Sequence, residues 1–159
     1  MSYELRAVIA ESRLLEAAQE VAEARFFPLH GSLSLLPITN AYFDAVSEGP
    51  DDRALGFWGM PGGFASHISH WSATGPVAYV EAEYFGGVGE QHAAVWEGGA
   101  RTLGPLHLPE GEPLPADGGP ISQVLRYLGV SAGHAHDEFE AAGLHRHRHT
   151  EEWATPPPA

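Results

Sequence analysis

The 159-residue chain contains neither cysteine nor lysine. Without cysteine there is no disulfide, no thiol nucleophile and no thiolate-bound zinc, a composition that fits a reducing cytosol. Without lysine there is no Schiff base, no Ser–Lys dyad and no Walker-type phosphate loop. Positive charge is scarce altogether: eight arginines face 21 acids, for a formal charge of −13. That balance disfavours nucleic acid and anionic membranes and favours a basic protein as partner, drawn in by long-range attraction. Long apolar runs are missing too. None approaches the roughly 18 residues of a membrane span, and the opening MSYELRAVIA alternates in the manner of a strand rather than of an export leader. These absences describe a soluble, cytoplasmic protein.

What is present is enough for a core, with 43% apolar and 10% aromatic residues. A chain of this length is most simply one domain. Tyr3 to Ala10 reads as a first strand, and Ser12 to Ala24 as a helix with Leu14, Ala18, Val21 and Ala22 on one face. RFFPLHGSLSLLPIT reads as two short strands, NAYFDAV as a short helix from Asn40, and PGGFASHISHW as a helix burying Phe64, Ile68 and Trp71. Val77 to Phe85 is the clearest strand, followed by a glycine hairpin into QHAAVWEGGARTL. Gly104 to Pro120 is rich in proline and glycine and reads as an irregular loop. ISQVLRYLGV returns to helix with Gly129 at its C-terminal cap, a last helix spans His134 to Ala142, and Ser131 would cap it. The expected architecture is a single α+β domain over residues 1–150, a mostly antiparallel sheet with a central hairpin and three to five helices packed on it. Residues 151–159 form a flexible tail.

The segment VEAEYFGGVGEQ concentrates the functional questions. Alternation places Tyr79, Glu81, Glu83 and Phe85 on one strand face, the two glutamates roughly 6–7 Å apart. Such a pair suits general acid–base work on sugars, a hard cation, contact with an arginine- or lysine-rich partner, or plain solvation of an open sheet face. Gly87-x-Gly89 lacks the third glycine and the following helix of a dinucleotide loop, so turn formation is the better account. GVSAG at Gly129–Gly133 matches a nucleophile-elbow pattern, with Asp137 and His145 beyond it, but a helix precedes the serine where a strand is required. Five of the ten histidines lie between His134 and His149. If HRHRH is extended, His145, His147 and His149 share one face and suit zinc, against the opposing charge of Arg146 and Arg148.

The block GPVAYVEAEYFGGVGEQHAAVW (Gly75 to Trp96) resembles one found in uncharacterised small acidic proteins of high-GC actinobacteria, with a looser likeness in DEFEAAGLHRHRHTEEW. Some chains of that kind are proposed to be cytosolic immunity proteins, which neutralise toxins by binding them. The resemblance implies a binding module rather than an enzyme, and it brings no catalytic residues with it. The sequence thus leads to a protein-binding module that neutralises a basic toxin through Tyr79, Glu81, Glu83, Phe85 and Glu90, without a cofactor. The alternative is a zinc-binding protein or metal-dependent enzyme using His145, His147 and His149.

Overall fold

A computed structural model describes residues 2–50 and 55–154. Residues 51–54, and residues 155–159 of the expected tail, lie outside them. Six strands form one antiparallel sheet in the order β2-β3-β1-β4-β5-β6. They are β1 (Ser2–Glu11), β2 (Phe27–Pro28), β3 (Leu33–Pro37), β4 (Val77–Phe85), β5 (Val88–Glu97) and β6 (Ala100–Leu108). Helices α1 (Asn40–Val46), α2 (Phe64–Trp71), α3 (Pro120–Tyr127) and α4 (Glu138–Ala142) complete a single α+β domain with three short 3-10 segments. No helix among the described residues is long and apolar enough to cross a membrane.

The sheet is covered on both faces, so its central strands read as nearly continuous apolar runs rather than as a clean alternation. On one face Leu5, Ala7 and Ile9 of β1 and Ala78, Val80 and Ala82 of β4 pack beneath Ile121, Val124 and Leu125 of α3, with Leu144 and Trp153. On the other, Val8 and Ala10, Val77 and Tyr79, and Ala94 and Trp96 pack beneath Leu14, Leu15, Tyr42, Phe57, Phe64 and Ile68. Helix α1 starts where Thr39 accepts a hydrogen bond from the Tyr42 amide at 3.1 Å. Helix α3 ends with Gly129 at φ +96°, the left-handed C-terminal position where glycine carries no Cβ penalty.

Four sequence expectations need correction. The first helix is a 3-10 segment, Ser12–Glu20, whose buried Leu15 and Ala18 lie three apart as a three-residue turn requires. Val21 and Ala22 lie beyond it. The Gly104–Pro120 region is not loop throughout, because β6 runs on to Leu108. Pro105 is tolerated there since β6 is an edge strand, with the register shifted opposite Ala93 and Val95. The last helix begins at Glu138 rather than His134, and its cap is Asp137, whose carboxylate accepts from the Glu140 amide at 2.9 Å, rather than Ser131. Residues 151–154 are not tail: Thr150–Ala154 forms a 3-10 turn that buries Trp153.

Candidate functional site

The face bearing Tyr79 changes character along the strands. Register pairs Arg6 with Glu81, Glu81 with His92, and His92 with His107, so one polar row crosses β1, β4, β5 and β6. Two residues nearer the hairpin a second row runs Glu4, Glu83, Glu90. The first row marks the edge of the covering layer. Beyond it the sheet opens toward the tip of the β4–β5 hairpin, where Phe85 is 77% and Val88 51% exposed.

The expected shared face is therefore real, but its expected exposure is not. Tyr79 and Glu81 are both fully buried, and neither can belong to an open docking surface. The Glu81 carboxylate accepts from the amides of Trp58 at 2.6 Å and Gly59 at 2.9 Å and from the Tyr79 hydroxyl at 2.8 Å. Three donors satisfy a buried anion that would otherwise be costly. Burial is the largest influence on this carboxyl and raises it above its ordinary value, while the three hydrogen bonds and Arg6 pull the other way. Burial, reinforced by Glu81, also drives the Tyr79 hydroxyl well above its usual range, so it remains a donor. Glu81 thus fastens the 55–60 segment over the sheet. Arg6 lies so close to that segment that a Cβ on Gly59 would sit 2.6 Å from its Cδ, so a larger residue there would require the Arg6 side chain to move.

Glu83, Phe85 and Glu90 remain on the open part. Around them lies a notch of about 190 Å³ lined by Glu83, Phe85, Val88, Gly89, Glu90 and Glu110, in which every ionisable residue among those described is acidic. The tip itself is a two-residue turn with Gly86 at φ +61° and Gly87 at φ +83°, the pair of positive values that a type I′ hairpin needs. This answers the glycine-loop motif: strand leads to strand, with no helix N-terminus for a phosphate.

The three tail histidines do not assemble. His147 packs edge-on against Phe27 and Trp153, with ring centroids 5.4 and 4.8 Å away. Around His149 the backbone runs beside β1, where the Glu4 amide donates to the Arg148 carbonyl at 2.7 Å. This stretch closes the fold. The side chains that do converge are Glu90, His92 and His107, their ligand atoms all within 4.8 Å of one another. The His92 and His107 rings lie 3.8 Å apart at 30°, and His107 Nε2 meets Glu90 Oε2 at 2.9 Å. Sequence reasoning missed this group because His107 lies fifteen residues from His92, across the β5–β6 turn. The period-two spacing of Glu90 and His92 was the one visible signal.

On the opposite face a cavity of about 650 Å³ opens between the hairpin and α3 and α4, walled by Tyr3, Tyr84, Ile121 and Phe139 among others. Two of its polar side chains, Tyr84 and Gln91, are engaged with one another. Gln91 donates to the Tyr84 hydroxyl at 3.0 Å and accepts from the Ile121 amide at 3.0 Å. No family model matches the chain, and neither a curated protein nor a solved structure is found to be significantly similar to it.

Proposed function

We propose that the chain is a non-enzymatic binding protein of the cytosol that engages a basic protein, in the manner of an immunity protein or inhibitor, through the end of the β4–β5 hairpin. The observation that carries this reading is the pair Phe85 and Val88, large apolar side chains 77% and 51% exposed on a hairpin whose flank carries Glu83, Glu90 and Glu110. Apolar groups at such a position contribute desolvated contact area, and the carboxylates around them, with a net charge of −13, speed encounter with a cationic surface and reject an anionic one. The docking residues are Glu83, Phe85 and Glu90 of the sequence reading, joined by Val88 and Glu110. Tyr79 and Glu81 lie farther along the same strand face, under the Phe57–Gly59 segment.

The test begins with untagged protein captured from its own lysate at low salt and weighed by native mass spectrometry. The expected companion is a basic protein released at high salt, whose affinity for purified Phe85→Ala and for Glu83→Lys with Glu110→Lys falls at least about tenfold, as loss of a central contact or of charge complementarity implies. Full affinity in both variants would overturn the site, and a partner that is acidic or salt-insensitive would overturn the reading.

A further inference from the structure

The convergence of Glu90, His92 and His107 goes beyond partner binding. We propose that these three side chains form a site for a zinc-class transition-metal ion, held by two imidazoles and one carboxylate on the face of β5 and β6.

The architecture supports this in three ways. The ligands come from two adjacent, directly paired strands of the sheet. Glu90 and His92 are i and i+2 on one strand, and His107 is the direct cross-strand partner of His92. All three therefore project from the same face with no loop involved. Second, the donor set is selective. Imidazole nitrogens suit zinc, copper, iron and nickel, whereas calcium and magnesium take all-oxygen cages. Third, the site is graded in burial, with His92 only 6% exposed, Glu90 intermediate and His107 at the surface. The buried ligand is walled by protein: Trp58 stands edge-on to the His92 ring with centroids 4.9 Å apart. Gly56 passes so near that a Cβ on it would lie 3.7 Å from His92 Cε1.

Tetrahedral zinc at about 2.0–2.2 Å from each ligand places donor atoms roughly 3.3 Å apart. The present spread of up to 4.8 Å exceeds that, so binding requires the Glu90 and His107 side chains to draw in around the ion. On binding, Glu90 exchanges its contact with His107 Nε2 for the ion, and the ring nitrogen is freed as a ligand. Three protein ligands leave a fourth position on the solvent side, which a water molecule would fill, unlike the closed four-ligand shell of structural zinc. The carboxylate–imidazole contact that precedes binding keeps the two mobile ligands together and so lowers the ordering needed when the ion arrives.

The experiment uses the full-length, untagged protein stripped with chelator and titrated with zinc chloride against a fluorescent competitor, with cobalt(II) as a spectroscopic substitute. The expected result is one ion per chain at micromolar affinity or better and a cobalt spectrum of low coordination number. His107→Ala and Glu90→Gln should each weaken zinc at least about tenfold, the loss that follows removal of even an outer-sphere partner. His145→Ala with His149→Ala should leave it unchanged. Proton NMR of wild-type protein provides a readout independent of any variant's folding: zinc should shift the His92 and His107 ring resonances before those of the other histidines. No uptake at about 100 μM zinc, far weaker than functional sites, would overturn the proposal. So would an affinity that follows His145 and His149 while ignoring His107.

Discussion

Tyr79 donates its hydroxyl to Glu81 across 2.8 Å, from two positions away on one strand face, and both side chains are sealed from solvent. With the Trp58 and Gly59 amides, this bond turns a carboxylate into the anchor of the segment that covers the sheet. Tyr79→Phe keeps the ring, which packs edge-on against Phe57 at 4.8 Å, and removes only the hydroxyl. It should cost about 1.5–3 kcal/mol, the range for a hydrogen bond to a charged group. Glu81→Ala strands three donors and should cost more. In urea denaturation the double variant should be less destabilised than the sum of the two, because the second change removes a partner already lost. Strict additivity would mean that the two groups do not act as a unit.

The same carboxyl gives a pH dependence with a definite sign. Burial raises Glu81 above its ordinary value of 4.5 despite the opposing hydrogen bonds and Arg6. Such a group binds more protons folded than unfolded between those two values. Its contribution is therefore fully present below about pH 4.5 and is lost as pH rises through the folded value. The stability of wild type relative to Glu81→Gln, whose amide does not titrate, should decline over that window. A difference that grows with pH instead would mean that the three donors outweigh burial.

At the hairpin, two glycines are needed for different reasons, and substitution separates them. Gly86 has open space around its missing Cβ but a φ of +61°, so Gly86→Ala should cost about 1–2 kcal/mol through the left-handed backbone alone. Gly86→Asn should largely restore it, since asparagine suits the first position of a type I′ turn. A Cβ on Gly89 would lie 1.8 Å from the Glu83 carbonyl oxygen, a clash with backbone that no rotamer relieves. Gly89→Ala, and Gly89→Asn equally, should abolish protection of the Phe85–Val88 amides in hydrogen exchange. Equal tolerance at both sites would refute this assignment of roles.

Much of the fold was legible because period two and turn chemistry are local. Val77–Phe85 was readable as a strand from its alternation, and the hairpin from Gly86 and Gly87. The same alternation placed Tyr79, Glu81, Glu83 and Phe85 on one face correctly, but it carries no information about what covers that face. The cover comes from Phe57–Gly59, more than twenty residues away, and it divides the row so that Glu81 is buried while Glu83 is exposed. The histidines failed for the complementary reason. HRHRH has the spacing of a ligand set, yet its backbone lies beside the N-terminal part of β1 that β3 does not reach, and its central ring fills a space beside Trp153. The convergent set needed the β5–β6 register, which no local pattern reports.

The zinc proposal predicts a thermal signature that separates this site from adventitious binding. An ion that binds only the folded chain adds stability as the logarithm of its excess over the dissociation constant, about 2.7 kcal/mol at a hundredfold excess. For a chain of this size that corresponds to a rise in Tm of roughly 5–10 °C. His92 and His107 link β5 to the edge strand, and Trp58 lies against the His92 ring. The gain should therefore be accompanied by a change in tryptophan emission and slower exchange along β6. Histidines bound loosely at the surface would not produce these effects together. In His107→Ala all three responses should vanish while stability without metal stays within about 0.5 kcal/mol of wild type, as for an exposed position. A zinc-induced rise that persists in His107→Ala would place the ion elsewhere on the molecule.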